Sequence, residues 1–540
     1  MQKTFIIYLA LVLVILLLVM LAHRLKVAYP IVLVVAGLAI GWLRIVPDIT
    51  IDPELIFLIF LPPLLYEAAW QTSWKEFWKY RRIISTFAFG IVILTSCVIA
   101  WFSSSVIPGF TLALGFLLGG IISPPDAVSA TSILRTTPVP KNLAAIIEGE
   151  SLLNDAASLI VFRFAIIAVA TGTFSFQEAA TSFASMIVMG ILCGLAVAAI
   201  FYAIHRWMPT TPSIDTILTI AAPYVMYLTA EQFHYSGVLA VVSGGLFLSN
   251  QSQRILNNEG RLQTNNVWAT LGFVLNGIVF MLIGLELPVI VAQLGTTSIW
   301  DAIRYSIYIS IVVIVSRMIC AMGASIFTRF ATHFITVADP NPGYRAPLVF
   351  GWAGMRGVVS LAAALSIPLT INHGQPFPQR NLILFITFSV ILITLLFQGL
   401  TLPWVVKMAD VKAPDNSIPA HEQEAIIRKK LANSSLTLLE EKYKNDVEGS
   451  DLLKAYAHHL KNNLQYSEHF TEMLLNGRTD GNIYSAYHRI NTEVIDHQRK
   501  VLQKINGKEE FDEIIIRKYM LELDLEEEKL KNLFNLNELH

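Results

Sequence analysis

The sequence predicts an all-α polytopic membrane protein with about 13 transmembrane helices and a soluble helical tail. Of its 540 residues, 54% are hydrophobic and 15% are charged, and the mean hydropathy is +0.57. A soluble chain of this length does not have such a composition. The apolar residues are also clustered in segments of about 20 residues, the length with which a helix crosses about 30 Å of hydrocarbon.

Thirteen segments are long and apolar enough to be spans. They are residues 5–22, 31–46, 53–71, 83–103, 109–136, 142–170, 183–205, 213–232, 236–249, 267–294, 300–330, 346–370 and 379–408. We therefore expect a transmembrane domain over residues 1–410 and a helical C-terminal domain over residues 411–540.

The loops between these segments alternate in charge. Cations occur in every second loop, at Arg24, Lys26, Lys75, Lys79, Arg81, Arg82, Arg135, Lys141, Arg206, Arg254, Arg261 and Arg345. The intervening loops, such as PDITID at 47–52, carry almost none. Since cationic loops stay in the cytoplasm, the N-terminus is predicted outside and the C-terminal domain inside. This arrangement requires an odd number of spans, and thirteen satisfies it.

Several functional classes lack their sequence signature here. The three cysteines fall inside spans and have neither disulfide nor metal-site spacing. No nucleophile and base pair or metal cluster of an enzyme appears among the spans, and the net charge of -1 does not favour a nucleic-acid partner. We expect no enzymatic activity and no cofactor, and the partner is the lipid bilayer.

The sixth span carries ionisable residues at the membrane centre, near residue 156. Because charge is costly in hydrocarbon, such residues usually mark an ion path. Ser151 and Asp155 share one helical face, and Glu148 lies nearly in line with them, nearer the cytoplasm. Their oxygens suit a hard cation. The alternative is that these polar groups only join neighbouring helices.

Glu150 and Asn154 share the neighbouring face of the same span. Arg317, in IVVIVSRMICA, lies at a similar depth in the eleventh span, so we expect Glu150 and Arg317 to form a mainly structural ion pair beside the site. Arg163, two turns outward of Asp155, has no partner that the sequence identifies.

Two spans contain helix-breaking stretches. GGIISPPDAVSATS places Pro124, Pro125 and Asp126 in the fifth span, and GWAGMRGVVS places glycines and Arg356 in the twelfth. Two interrupted spans at corresponding places in two halves of a chain indicate inverted repeats with the ion site where the broken helices cross. Asp126 and Arg356 would neutralise the ends of the half-helices.

The third span contains LPPLLYEAAW, in which Pro62 and Pro63 precede Glu67. Glu67 lies on the cytoplasmic side, as Glu148 does. It either lines the cytoplasmic approach or supplies a further ligand, and the sequence does not separate the two. Glu148 is the residue that we expect in a cytoplasmic funnel.

The motifs SPPDAVSATS, GESLLNDAASLIVF, VSRM and GWAGMRGVVSLAAAL, in that order, resemble those of bacterial sodium/proton antiporters of the NhaP and NHE branch. The resemblance covers about 400 residues. It implies a homodimer in the plasma membrane, with core helices at about 83–170 and 300–408 that move in elevator fashion against a dimerisation domain.

The same resemblance assigns roles to the polar residues. It implies that Asp155 binds Na⁺ or a proton, with Asn154, Ser151 and Asp126 beside it and Glu67 assisting. It also pairs Glu150 with Arg317 and gives Arg356 the role of stabilising the broken twelfth span.

A buried carboxylate loses its charge by accepting either a proton or a cation, so Na⁺ and H⁺ compete for Asp155. In relatives an asparagine before the aspartate accompanies electroneutral exchange, and Asn154 predicts the same here. Li⁺ and K⁺ remain alternative ions. A sodium-coupled solute symporter and a monovalent cation channel remain alternative functions, although no filter loop of a channel is recognisable.

Overall fold

The computed structural model describes residues 2–43, 53–134, 139–172, 176–294, 298–331, 343–371, 375–411, 420–475, 481–506 and 513–534. The chain divides into two units, Met1–Lys412 and Ala413–His540. Each unit is treated by itself below.

Helices are the only regular secondary structure among the described residues of the first half of the larger unit. Its helices are α1 Gln2–Leu25, α2 Tyr29–Trp42, α3 Pro53–Gln71, α4 Trp74–Ser85, α5 Val92–Val106, α6 Leu112–Ile122, α7 Ala127–Leu134 and α8 Lys141–Thr171. A π-helical segment, Thr86–Ile91, joins α4 to α5 without a break.

The second half is built in the same way and adds one small hairpin. Its helices are α9 Phe176–Trp207, α10 Pro212–Gln232, α11 Gly237–Ile255, α12 Asn258–Ala292, α13 Ile299–Ala331, α14 Arg345–Trp352, α15 Val358–Leu365, α16 Arg380–Ile393 and α17 Gly399–Ala409. The strands β1 Thr370–Ile371 and β2 Gln375–Pro376 pair antiparallel, and a π-helical segment, Thr394–Gln398, joins α16 to α17.

The predicted class, an all-α polytopic membrane protein, is confirmed. Seven of the described helical segments are long and apolar enough to cross a membrane: α4 with α5, α8, α9, α10, α12, α13, and α16 with α17. The other predicted spans coincide with the shorter helices α1, α2, α3 and α11 and with two interrupted helices. α6 and α7 are separated at residues 123–126, and α14 and α15 at residues 353–357.

The start of the fourth span differs from the prediction. Residues 75–82 were expected in a cationic loop, but the helix already begins at Trp74. Ser73 caps it by accepting a hydrogen bond from the backbone N–H of Glu76, and apolar residues follow one face. The cations concealed this helical period in the sequence because they lie on its opposite, exposed face.

Close helix contacts hold the larger unit together. At the contact between α2 and α12, a Cβ at Gly37 would overlap the backbone carbonyl of Met281, and one at Gly284 would overlap the backbone of α2. Only glycine lets the two backbones approach this closely. A main apolar cluster that includes Leu117, Phe280 and Phe388 packs between these helices and the broken pairs.

The smaller unit contains α18 Ala420–Lys442, α19 Lys444–Gly449, α20 Asp451–Leu475, α21 Gly481–Asn506 and α22 Glu513–Phe534. α18 packs on α20, and α21 packs on α22. Arg499 of α21 donates to Asp524 and Glu527 of α22, both at 2.5 Å. This is the helical tail that the composition predicted.

Candidate functional site

The two helix interruptions meet inside the larger unit. The backbone N–H of Asp126, between α6 and α7, donates to the carbonyl oxygen of Met355, between α14 and α15, at 2.7 Å. Gly357 lies so close that a Cβ there would overlap the Asp126 carboxylate. The stretches SPPD and AGMRG therefore form one crossing point.

Asp126 caps the half-helix α7. Its Oδ1 accepts from the backbone N–H of Val128 at 3.1 Å, and its Oδ2 accepts from the N–H and the hydroxyl of Ser129 at 3.2 and 2.5 Å. These N–H groups have no partner within the helix, so the carboxylate satisfies them and complements the positive end of the helix dipole.

Arg356 plays the opposite part at the carboxyl ends of the half-helices. The buried guanidinium donates from Nε to the carbonyl oxygen of Ile122 at 2.7 Å and from Nη2 to that of Ser123 at 3.2 Å. It also donates to the carbonyl oxygen of Gly354. The ends of both α6 and α14 are thus neutralised by one cation.

Asp155 lies in the middle of α8, beside the α6–α7 interruption, and is 7% exposed. The neighbouring Asn154 donates from Nδ2 to the carbonyl oxygen of Pro125 at 3.2 Å, and Ser151 donates to the same oxygen at 3.5 Å. Asn154 Oδ1 is buried without a hydrogen-bond partner among the described residues. These contacts attach the Asp155 face of α8 to the broken helix.

Glu150 and Arg317 form a bidentate ion pair on the adjacent face. The two N···O distances are 2.9 and 2.8 Å, and the side chains are 1% and 2% exposed. The Arg317 guanidinium also stacks on Phe350, 5.0 Å from the ring centre. The pair thereby connects α8, α13 and α14.

A cavity of about 440 Å³ leads to Asp155, and we call it the ion cavity. Five of the residues singled out in the sequence line it: Glu67, Asp126, Glu148, Ser151 and Asp155. Four other predicted site residues are not among the lining residues: Asn154, Glu150, Arg317 and Arg356. They contact the helices and interruptions that form the cavity. The oxygens at its inner end, from carboxylates and one hydroxyl, suit a hard monovalent cation better than a soft metal.

Three features of the region were not anticipated. Arg163 pairs with Glu231 at the end of α10, and His205 of α9 contacts Asp215 of α10 at 2.8 Å in a fully buried position. Asn276 of α12 lines the ion cavity with its Oδ1 buried. Polar residues inside the apolar helices α10 and α12 were the signal in the sequence for these contacts. Sequence spacing does not identify the partners, since Arg163 and Glu231 are 68 residues apart.

Comparison with known families gives an independent view of the chain. The profile described as "Sodium/hydrogen exchanger, transmembrane" matches residues 9–408. This range contains every helix of the larger unit that contributes to the ion cavity.

Two relatives illustrate the similarity. A protein of Mycobacterium tuberculosis named an uncharacterized Na⁺/H⁺ exchanger is 29% identical over 519 residues, covering 94% of this chain and 93% of its own. A sodium, potassium, lithium and rubidium/H⁺ antiporter of Bacillus pumilus is 32% identical over 407 residues, covering 74% and 60%. The first of these alignments extends into the tail.

A solved structure agrees in fold. The sodium proton antiporter MjNhaP1 of Methanocaldococcus jannaschii superposes with a TM-score of 0.61 at 18% identity, covering 76% of this chain and all of that one. At this identity the likeness concerns the overall fold.

Proposed function

Because this chain belongs to the sodium/hydrogen exchanger family of transmembrane cation/proton antiporters, we propose that it exchanges Na⁺ for H⁺ at Asp155. It is a transporter in a membrane, not an enzyme. The observation that supports this assignment most strongly is the ion cavity, which ends at a carboxylate beside two interrupted helices.

The proposed exchange follows from the surroundings of Asp155. Of the described residues, none donates a hydrogen bond to its carboxylate, so its oxygens are available to a cation or a proton. Na⁺ would be held by Asp155 with oxygens of Ser151 and Asp126, after losing water that the cavity admits. A bound ion or a bound proton each cancels the charge of Asp155, and only the neutral site crosses the hydrophobic barrier.

Electroneutral exchange is the stoichiometry that we propose. Asn154 occupies the position before Asp155 and donates to the Pro125 carbonyl, so it holds the broken helix without titrating. A single carboxylate then exchanges one Na⁺ for one H⁺ in each cycle.

The remaining polar residues are proposed to support this site. The Glu150–Arg317 pair fixes α8 against α13, and Arg356 and Asp126 stabilise the half-helices. Glu67 and Glu148 line the ion cavity together with Asp155, and their negative charge raises the local concentration of cations there.

We propose an elevator movement of the core, about residues 83–170 and 300–408, against the other helices of a homodimer. The cationic loops support an N-terminus outside and a tail in the cytoplasm. The resemblance to bacterial antiporters supports the plasma membrane as the location. In this orientation the ion cavity, whose lining includes Gln71 and Thr72 at the cytoplasmic end of α3, faces the cytoplasm. The name of the Bacillus pumilus antiporter includes potassium and lithium, so K⁺ and Li⁺ are further candidate ions.

The deciding experiment uses everted vesicles from cells without their own Na⁺/H⁺ antiporters, with a pH-sensitive dye. Adding Na⁺ is expected to collapse the pH gradient with the wild type and not with Asp155→Asn. Asp301→Asn is the control, because Asp301 is an exposed carboxylate on α13 paired only with its neighbour Arg304 among the described contacts. Li⁺ and K⁺ are added in turn to rank the ions.

Two results would contradict the proposal. If no cation changes the gradient, or if Asp155→Asn behaves as the wild type does, exchange at Asp155 is excluded. Na⁺ flux that follows an organic solute indicates the symporter, and Na⁺ flux that follows the membrane potential without proton movement indicates the channel.

A further inference from the structure

The helix α21 of the smaller unit carries apolar side chains that its packing partner α22 does not cover. Ile490, Val494 and Val501 are 55%, 49% and 42% exposed, which is high for aliphatic residues of a folded helix. At 3.6 residues per turn these three side chains lie within about 40° of one another around the helix. The exposed His497 lies between them, and we call the four residues the α21 strip.

The side of α21 that packs on α22 is a different one. Ile495 is 3% exposed there, and Arg499 donates to Asp524 of α22. Both residues lie about 120° to 160° around the helix from the middle of the α21 strip. Packing on α22 therefore leaves the α21 strip exposed.

The spacing of the α21 strip is that of a two-stranded coiled coil. Its four residues follow one another at intervals of four, three and four positions, as the a and d positions of a heptad do. In this register Val494 and Val501 are at a, and Ile490 and His497 are at d. A polar residue at one such position, as His497 is, limits the register in which two helices pair.

The charges beside the α21 strip identify the partner helix. Glu493 and Lys500 are exposed and occupy the g positions of the same heptads. In an antiparallel pair of α21 helices g faces g, so Glu493 of each copy meets Lys500 of the other. In a parallel pair g faces e, and the e residues are the uncharged Gln498 and Ile505. The charges are therefore complementary to a second, antiparallel copy of the same helix.

We propose that α21 pairs antiparallel with α21 of a second copy of this chain. Ile490 then lies opposite Val501 of the second copy, and Val494 lies opposite its His497. A two-fold axis perpendicular to the helices relates the two copies, so each contact occurs twice. Exposed ion pairs contribute little energy, so the apolar layers hold the helices together and the charges set their direction. The contact lies entirely in the smaller unit and does not depend on the proposed transport.

The test is disulfide cross-linking of the full-length protein in proteoliposomes, after the three native cysteines have been replaced. Glu493→Cys/Lys500→Cys brings a thiol of each helix next to one of the other, so mild oxidation is expected to yield covalent dimers. Within one helix the two positions are about 10 Å apart, too far for an internal disulfide. Each single variant is expected to yield about fivefold less dimer, because an antiparallel pair separates equal positions along the helix axis.

α21 itself supplies a matched control. Asp496 and Gln503 are exposed and have the same spacing as Glu493 and Lys500, but they lie on the opposite side of the helix from the α21 strip. Asp496→Cys/Gln503→Cys therefore measures cross-linking by collision of neighbouring tails. We expect this variant to yield as little dimer as the single variants.

A further pair of variants tests the apolar layers. Ile490→Asp/Val501→Asp, added to the double-cysteine protein, is expected to abolish the covalent dimer because it places charges in the α21 strip. Leu521→Asp/Leu525→Asp makes the same change on α22, at residues that are 59% and 55% exposed, and is expected to leave the dimer yield unchanged.

Three results would overturn the proposal. The first is a yield from Glu493→Cys/Lys500→Cys no higher than that of the control on the opposite side. The second is an equal yield from either single variant, which indicates parallel pairing or collision. The third is an equal loss in both aspartate variants. Because no transport is measured, failure of the antiport proposal leaves these results interpretable.

Discussion

Arg163 of α8 and Glu231 of α10 form an ion pair, in which Arg163 Nη2 donates to Glu231 Oε2. The other oxygen, Oε1, accepts from the backbone N–H of Gly237 at the start of α11, at 3.2 Å. The pair lies two turns outward of Asp155 and joins a helix of the proposed moving core to two helices outside it. In an elevator cycle this contact must break whenever the site turns outward.

Glu231→Gln is therefore expected to weaken the conformation seen here, in which the ion cavity is open. Partly exposed ion pairs contribute about 1 kcal/mol or less, so the ratio of the two conformations should shift by up to about fivefold. The measurement is the labelling rate of Thr72→Cys, which lines the ion cavity, after the three native cysteines have been replaced. Labelling from the cytoplasmic side is expected to slow.

The control for this experiment is Asp301→Asn, which removes an exposed ion pair with Arg304. Both residues of that pair lie in α13, so the pair does not connect two parts of the unit. Its labelling rate should equal that of the starting protein. An unchanged rate in Glu231→Gln would show that the Arg163–Glu231 pair does not bias the cycle.

The Glu150–Arg317 pair predicts a strong dependence of stability on both partners. Glu150→Gln or Arg317→Leu alone leaves a charge buried without its partner, at a cost of about 3 to 5 kcal/mol, so little folded protein is expected. The double variant Glu150→Leu/Arg317→Met removes both charges and should recover most of the folded fraction. Tm and the monodisperse fraction after solubilisation measure this, and a double variant no better than the singles contradicts it.

Gly357 is expected to be essential for the crossing point. A Cβ in Gly357→Ala would overlap the Asp126 carboxylate, so Asp126 must move from its capping position at the start of α7 and from the ion cavity. We expect at least a tenfold loss of Na⁺/H⁺ exchange, the equivalent of about 1.4 kcal/mol. Gly323→Ala is the matched control, since nothing lies within 4 Å of a Cβ there. Equal exchange by the two variants would remove the steric role of Gly357.

The interruptions and the buried charges were predictable because each has a local cause. A proline removes a backbone hydrogen bond wherever it occurs in a span, so Pro124 and Pro125 predict an interruption. The midpoint of the span 142–170 is residue 156, so the carboxylate of Asp155 is predicted at the membrane centre. Arg317 was identified from its depth, because few cations lie that far inside a span.

Other contacts depend on tertiary packing that no local period contains. Glu231 is 68 residues from Arg163, and its role appears only when the end of α10 meets α8. The start of α4 was missed for a different reason. Its cations were assigned to a loop by the charge pattern, although Ser73 and the apolar face at Phe77, Tyr80 and Ile84 are typical of a helix.

Asn154 gives the sharpest test of the proposed stoichiometry. With Asp155 as the one carboxylate that exchanges its proton in each cycle, the rate of Na⁺/H⁺ exchange in proteoliposomes should not change when a membrane potential is imposed with K⁺ and valinomycin. Asn154→Asp replaces the amide that donates to the Pro125 carbonyl with a second titratable group beside Asp155. If that variant carries an additional proton per cycle, its rate will follow the imposed potential. Its charge movement is then the positive control for the assay. A wild-type rate that itself follows the potential would exclude electroneutral exchange, because a cycle that moves no net charge does no work against the field.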